Sequence, residues 1–258
     1  MRQGRSKKHG RVPVLDAMRG LALVNMVLYH LLYDLVYIYA VPVAWFSIRR
    51  CFVWQQAICC TFIIISGISF TLAKRPLRNG LLLLICAAGL TAVTTIALPG
   101  QQILFGVLHL LAAAALLTVL LRPLLAKIPP LAGLCCAVLL FIVLRSLPSG
   151  YLLFQYPLSS GLYRSPYLFF LGLPAPGFYS ADYFPLLPWY FLYLAGFFAA
   201  GYVRDFLAFL QEKFAFVEKK PYRALDDTLG FLGRHSLLIY LLHQPVLMGV
   251  LYLLLTLQ

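Results

Sequence analysis

Two aspartates, an arginine and a histidine lie within one apolar stretch near the start of the chain: Asp16, Arg19, His30 and Asp34. An ionisable side chain inside a membrane helix is costly, so such residues indicate a functional site. At about 100° per residue, Arg19 and His30 differ by about 20° in azimuth, and both aspartates fall within about 60° of Arg19. All four therefore share one helix face. Arg19 and His30 are about 16 Å apart along the axis, which predicts a polar stripe from the cytoplasmic surface past the bilayer centre.

The spacing of His30 and Asp34 is typical of a general base and its partner. At positions i and i+4, a carboxylate can orient an imidazole, fix its tautomer and stabilise the imidazolium that forms when it takes a proton. Two other interpretations stay open: a histidine that hydrogen-bonds between helices beside a neutral or paired aspartate, and a proton relay in a transporter or export component. Asp16 and Arg19, at i and i+3, are also compatible with a salt bridge that anchors the helix at the interface.

The composition excludes a water-soluble globular domain. Of the 258 residues, 62% are hydrophobic and only 11% are charged, and the mean hydropathy is +0.87. Blocks of about 20 apolar residues can cross roughly 30 Å of hydrocarbon and are too long for the strands of an outer-membrane barrel. They predict an all-α integral membrane protein with a bundle of about seven transmembrane helices, in a single domain over 1–258. The predicted spans are 12–40, 52–73, 81–98, 103–121, 131–147, 185–203 and 235–257.

The formal net charge of +13 is scattered over short loops and a basic tail, 1–11. This distribution predicts membrane topology instead of nucleic-acid binding, with the N-terminus in the cytoplasm and the C-terminus outside. The outer connection over 148–184 is rich in proline and tyrosine and predicts a lid or re-entrant segment. The segment 204–233 predicts an amphipathic helix on the cytoplasmic surface. Six cysteines lack the spacing of metal ligands, so no metal is expected.

Several ordered motifs carry a resemblance to a known family. They are Leu15-Asp16-Ala17-Met18-Arg19-Gly20, Tyr29-His30 with Tyr33-Asp34, Ile65-Ser66-Gly67-Ile68-Ser69-Phe70, Gly106-Val107-Leu108-His109, the segment 182–189 (DYFPLLPW) and the segment 233–245 (GRHSLLIYLLHQP). In these motifs the chain resembles the heparan-alpha-glucosaminide N-acetyltransferase-like family of bacterial membrane proteins. The spacing from Arg19-Gly20 to His30 is also similar to that of membrane acyltransferases that O-acylate cell-surface polysaccharides, whose equivalent histidine is the proposed catalytic residue.

The resemblance implies transfer of acetyl from cytoplasmic acetyl-CoA to an amine or hydroxyl of a glycan-like acceptor outside the membrane. It implies His30 as the catalytic base and Asp34 as the residue that orients it. In the lysosomal members, the position matching His30 looks like asparagine and the catalytic histidine lies in the following loop. Because 39–50 contains no histidine here, the assignment goes to His30. A bacterial cytoplasmic membrane, a homodimer and no nucleic-acid partner are also expected.

The donor and the acceptor each have candidate binding residues. The phosphates of acetyl-CoA require cations on the cytoplasmic side, and the candidates for the donor site are Asp16, Arg19, Lys74, Arg75, Arg78 and Arg234. Gly233-Arg234 is expected to open the last helix at a position that favours anions. The candidates for acceptor binding are His109, Asp182, Trp189 and His243.

Each of these residues also has a plainer interpretation. The loop cations are equally typical of topology charges. His109 could bind the acceptor, hold the thioester carbonyl or simply pack. Asp182 could cap the sixth helix, Trp189 is typical of an interface aromatic, and His243 could make a structural bond at a kink.

Overall fold

The computed structural model describes residues 12–98, 100–213 and 220–256, so the predicted basic tail, 1–11, lies outside the described residues. Seven of the described helices are long and apolar enough to cross a membrane, which confirms the predicted fold class. The described helices are α1 (Pro13–Tyr33), α2 (Phe52–Leu72), α3 (Pro76–Ala97), α4 (Val107–Leu125), α5 (Pro130–Leu144), α6 (Leu186–Lys213), α7 (Lys220–Arg234) and α8 (Ser236–Thr256). Helix α1 continues as a π-helical turn over Asp34–Ile38.

Several helix boundaries differ from the sequence prediction, most clearly the start of α3 and the end of α6. Helix α3 begins at Pro76, five residues earlier than predicted, because proline is favoured in the first turn, where its missing N–H costs nothing. Helix α6 continues to Lys213 instead of ending near 203. The charges that suggested a break, Arg204 and Asp205, are 66% and 80% exposed, so they lie on the open surface of a continuous helix.

The described chain divides into two compact units. The first contains the described residues 12–62 and 220–256, and the second contains those of 63–213. In the first unit, helices α1 and α7 approach backbone to backbone at two glycines. A side chain at Gly20 would meet the carbonyl of Leu229, and one at Gly233 would meet the carbonyl of Asp16. Small residues permit such close contact between helices.

The apolar core of the first unit surrounds the middle of α1. Its buried members come from α1, the following connection and the start of α2: Leu23, Met26, Tyr29, Phe46, Cys51 and Ile58. The indole N–H of Trp54 donates to Asn25 at 3.0 Å. This core holds one side of α1 and thereby fixes the direction of its polar face.

Glycines also mediate close packing in the second unit. A side chain at Gly67 in α2 would meet the carbonyl of Tyr193 in α6, and one at Gly196 would meet that of Ile64. Deeper in the same unit, the hydroxyls of Thr118 and Tyr190 lie 3.2 Å apart. Helices α2 and α6 are thus in direct backbone contact at both glycines.

The long connection between α5 and α6 is a hydrogen-bonded structure of short turns with a two-residue hairpin, Tyr151–Leu152 with Tyr156–Pro157. The hydroxyl of Tyr163 donates to the carbonyl of Leu147 at 2.6 Å, and that of Tyr183 donates to Phe169 at 2.5 Å. Burial raises the pKa of both tyrosines. Their hydroxyls therefore stay protonated as donors that fix the connection.

Candidate functional site

His30 lies in the last turn of α1, beside a histidine of α8. The ring centroids of His30 and His243 are 4.8 Å apart and the rings are tilted by 58°. His30 is half-buried, and the ring of Tyr29 meets its edge at 6.2 Å. The structure therefore brings together the predicted base and a residue that the sequence suggested for acceptor binding.

The hydrogen bond of His243 decides which of its ring nitrogens carries the proton. Its Nδ1 lies 2.6 Å from the carbonyl oxygen of Tyr240, and a carbonyl can only accept, so Nδ1 is the donor. In the neutral ring, Nε2 then carries the lone pair. This Nε2 is buried and has no hydrogen-bond partner among the described residues. A basic nitrogen without a described donor thus lies on the ring next to His30.

Asp34 is fully buried and begins the π-helical turn. Its two carboxylate oxygens accept hydrogen bonds from the side-chain amide of Gln244 at 2.9 and 3.0 Å. The described hydrogen bonds of the Asp34 side chain run to α8, and none of them joins it to the His30 ring. The role of Asp34 in orienting His30 therefore stays a prediction, and its contact with Gln244 is a link that spacing within α1 could not show.

Gln244 is the residue at this site that sequence reasoning missed. Its amide oxygen is buried without a hydrogen-bond partner in the described chain, although its nitrogen holds Asp34. Pro245 follows and supplies no backbone N–H, which loosens the helix here. One turn further on, the hydroxyl of Tyr39 donates to the carbonyl of Met248 at 3.2 Å. A polar amide inside an apolar span was the signal that could have identified Gln244.

The predicted donor residues of the first unit lie near the junction of α1 and α7. Arg19 and Asp16 form a salt bridge of 2.9 Å, with side chains only 18% and 13% exposed. Arg234 is exposed and is the last residue of α7. The expectation that Gly233-Arg234 opens the last helix was wrong, because α8 begins at Ser236 and Gly233 instead packs on α1.

Three predicted donor cations lie together in the second unit. Lys74, Arg75 and Arg78 are exposed where α2 ends and α3 begins, and Arg75 is the residue before the first turn of α3. Their side chains are available to an anionic ligand or to lipid phosphates.

Two candidate acceptor residues of the second unit make structural contacts. Asp182 accepts a hydrogen bond from the backbone N–H of Val107 at 2.9 Å, so it caps the first turn of α4. Trp189 is 3% exposed and packs on Phe184, with the guanidinium carbon of Arg145 4.6 Å from its ring centre. A sugar could stack on this ring only by displacing one of those neighbours.

His109, the remaining candidate, lies in the first turn of α4. Its Nε2 is 3.1 Å from the hydroxyl of Thr91, and the ring of Phe105 stacks on it at 5.8 Å. Within the described residues, no group of three or more His, Cys, Asp or Glu could hold a metal ion.

Comparison with protein families matches residues 11–245 to the catalytic region of heparan-alpha-glucosaminide N-acetyltransferase. The matched range contains His30, Asp34, His109, His243 and Gln244. Comparisons with curated proteins and with solved structures found no match.

Proposed function

Since the chain belongs to the heparan-alpha-glucosaminide N-acetyltransferase family, we propose that it transfers acetyl from cytoplasmic acetyl-CoA to an amine or hydroxyl of an extracytoplasmic, glycan-like acceptor. The observation that carries the proposal is the pair of imidazoles, His30 and His243, 4.8 Å apart in apolar helices. We also propose a bacterial cytoplasmic membrane as its location, with the N-terminus inside, and a homodimer as its assembly.

His30 acts as the general base. Its imidazole removes a proton from the acceptor nitrogen or oxygen while that atom forms a bond to the thioester carbonyl carbon. When the carbon–sulfur bond breaks, the thiolate of CoA leaves and takes the proton back from the imidazolium. The two steps balance in protons and give the acetylated acceptor and CoA thiol.

His243 and Asp34 support this base from α8 and α1. Two imidazolium ions at 4.8 Å would repel each other, so the histidine pair favours one proton at a time. The carboxylate of Asp34, held by Gln244, favours a positive charge nearby and fixes α8 beside α1. Loss of Asp34 would therefore affect His30 through the position of α8.

The donor would be bound through its phosphates. Arg19, paired with Asp16, is one candidate and the exposed Arg234 is another. In the second unit, the candidates are Lys74, Arg75 and Arg78. Arginine binds phosphate in a bidentate manner, and pantetheine in an extended form suits the distance of about 16 Å from Arg19 to His30 along the helix.

The direct test is acetyl transfer by the purified full chain in detergent, with radiolabelled acetyl-CoA and D-glucosamine. We expect His30→Ala to lower kcat/KM by at least about 100-fold, the usual contribution of a general base. His235→Ala is the matched control, because His235 is exposed between α7 and α8. Acetyl transfer retained by His30→Ala would contradict the assignment.

Donor binding is tested separately by thermal unfolding with CoA. A ligand at 100 times its Kd stabilises a folded protein by about 2.7 kcal/mol. We expect this stabilisation in the native chain and in His30→Ala, and a weaker one in Arg19→Ala. A folded sample that gains no stability from CoA would overturn the acetyltransferase.

A proton-coupled carrier is the second candidate, favoured by the same buried histidines and Asp34, which could pass a proton along the span. Such a carrier has no reason to bind CoA. The thermal measurement therefore discriminates between the two functions without an identified acceptor.

A further inference from the structure

His109 is held in a single tautomer by the hydroxyl of Thr91. That hydroxyl oxygen is 2.7 Å from the carbonyl of Ile103 and 3.1 Å from Nε2 of His109. A hydroxyl has one proton and a carbonyl can only accept, so Thr91 donates to Ile103. Its oxygen must then accept from His109, which places the imidazole proton on Nε2.

The other ring nitrogen of His109 is therefore a hydrogen-bond acceptor. A neutral imidazole protonated at Nε2 carries its lone pair on Nδ1. This Nδ1 is buried and has no hydrogen-bond partner among the described residues. Burial of an acceptor that lacks a donor costs free energy, because the atom has lost its hydrogen bond to water. A ligand that donates a hydrogen bond to Nδ1 would offset this loss.

The surroundings hold the imidazole in place. The ring of Phe105 stacks on it with an interplanar angle of 30°, and the backbone of Phe105 has a φ of +60°. That unusual conformation is fixed by a hydrogen bond of 3.0 Å from the N–H of Phe184 to the carbonyl of Phe105. The cap from Asp182 to Val107 secures the same turn. The acceptor nitrogen is thus preorganised.

We propose that Nδ1 of His109 binds a hydroxyl of the acceptor substrate, and that Thr91 is the positioning residue that fixes the required tautomer. A sugar ring supplies such uncharged hydroxyl donors, which enter a buried site at lower cost than an ammonium ion. The inference rests on the proposed acetyl transfer. It excludes the neutral His109 ring as an oxyanion donor, because Nδ1 has no proton to give.

Nitrogen-15 NMR of the histidine-labelled full chain in micelles tests the tautomer without turnover. Signals of His109 are identified by their loss in His109→Leu. We expect a pyrrole-type Nε2 and a pyridine-type Nδ1 in the native chain and in Thr91→Ser, and a mixture of tautomers in Thr91→Val. The control is Thr95→Val, which changes an exposed position on α3, the helix that also carries Thr91. This variant should keep the native His109 signals. A proton on Nδ1 in the native chain would overturn the proposal.

Kinetics with acetyl-CoA and D-glucosamine test the role in binding. Loss of one hydrogen bond in His109→Leu should raise the KM for glucosamine about tenfold, with kcat and the KM for acetyl-CoA nearly unchanged. A fall in kcat alone would indicate oxyanion stabilisation, and unchanged kinetics would indicate packing; either result overturns the inference.

A chain that transfers no acetyl to glucosamine would count against the proposed function, and His109 is then tested by titration. Glucosamine should still move the Nδ1 signal of the native chain. An Nδ1 signal that does not move at saturating glucosamine would overturn the binding role.

Discussion

Each of the two units buries a histidine whose ring N–H is donated to an uncharged oxygen. In the first unit, His243 donates to the carbonyl of Tyr240, and the ring next to it is a second imidazole. In the second, His109 donates to the hydroxyl of Thr91, and the ring next to it is Phe105. Two neighbouring bases can exchange a proton, whereas one base against an apolar ring can only accept a hydrogen bond. This difference is the reason that we propose proton transfer for the histidines of the first unit and hydrogen bonding of a ligand for the histidine of the second.

The largest effects should separate these roles kinetically. His30→Ala should lower kcat/KM by at least about 100-fold, whereas His109→Leu should act mainly on KM. The proposed pairing of His30 and His243 predicts that the double variant His30→Ala with His243→Ala is scarcely slower than His30→Ala alone. Steady-state kinetics of the native chain, His30→Ala, His243→Ala and the double variant measure this. Multiplicative losses from the two histidines of the first unit would show that they act independently.

The activity should also fall as the pH is lowered, because a protonated His30 cannot accept the proton of the acceptor. The pH dependence of kcat/KM in the native chain measures this, and the exposed His235 supplies the control variant His235→Ala, which should keep the native profile. A kcat/KM that does not fall as the pH is lowered would contradict the role of His30 as the base.

Close packing at glycine should matter equally in both units. Gly20→Ala forces α1 and α7 apart, and Gly67→Ala forces α2 and α6 apart, so each should destabilise by about 1–3 kcal/mol or more. The control is Gly249→Ala, where a side chain meets open space and alanine is the better helix former. Thermal unfolding in detergent measures all three. If Gly20→Ala did not lower the stability, contacts other than the close approach of α1 and α7 would hold the first unit together.

The polar links of the two units should differ in strength. A double-mutant cycle of Asp34→Ala and Gln244→Ala should give a coupling of about 1.5–3 kcal/mol, as for hydrogen bonds to a charged group. The corresponding cycle of Thr91→Val and His109→Leu should give about 0.5–1.5 kcal/mol, because both partners are neutral. Chemical or thermal unfolding supplies the values. Equal couplings would argue for a protonated, uncharged Asp34.

The smallest expected effect concerns the cap of α4. Asp182→Ala removes the acceptor for the N–H of Val107 and should cost about 0.5–2 kcal/mol. Asp227→Ala, at an exposed position of α7, should change stability by less than about 0.5 kcal/mol. Thermal unfolding compares the two. A larger loss of stability in Asp182→Ala than in Asp34→Ala would make the second unit the more sensitive one to loss of a carboxylate.

Hydropathy alone predicted the seven spans, because each block matches the thickness of the bilayer. It failed at the end of α6, since Arg204 and Asp205 are polar in sequence but lie on an exposed helix surface. The expectation that Gly233-Arg234 opens the last helix came from the preference of anions for a helix start, and it was wrong because these residues end α7.

The candidate site was predictable only along α1. Periodicity placed His30 and Asp34 on one face, but the partner of Asp34 is Gln244, 210 residues further along the chain. Asp182 likewise caps a helix that begins 75 residues earlier. Such pairs depend on tertiary packing, and no spacing within one helix encodes them. The tautomers of His109 and His243 follow from hydrogen bonds and were beyond the sequence altogether.

The π-helical turn at Asp34–Ile38 determines how the end of the first span responds to a change of one residue in length. Such a turn closes its hydrogen bonds one residue later than an α-turn, so it absorbs one extra residue. Deletion of a single residue from 35–38 would restore a regular α-helix and leave the direction of the chain after it nearly unchanged, because the extra residue is the one that the turn absorbs. Deletion of a residue from the α-helical part of α1 would instead rotate Tyr39, whose hydroxyl reaches the carbonyl of Met248, by about 100° away from α8. The π-helical turn is thus the place in the first span where the chain can lose one residue and keep its register with the last one.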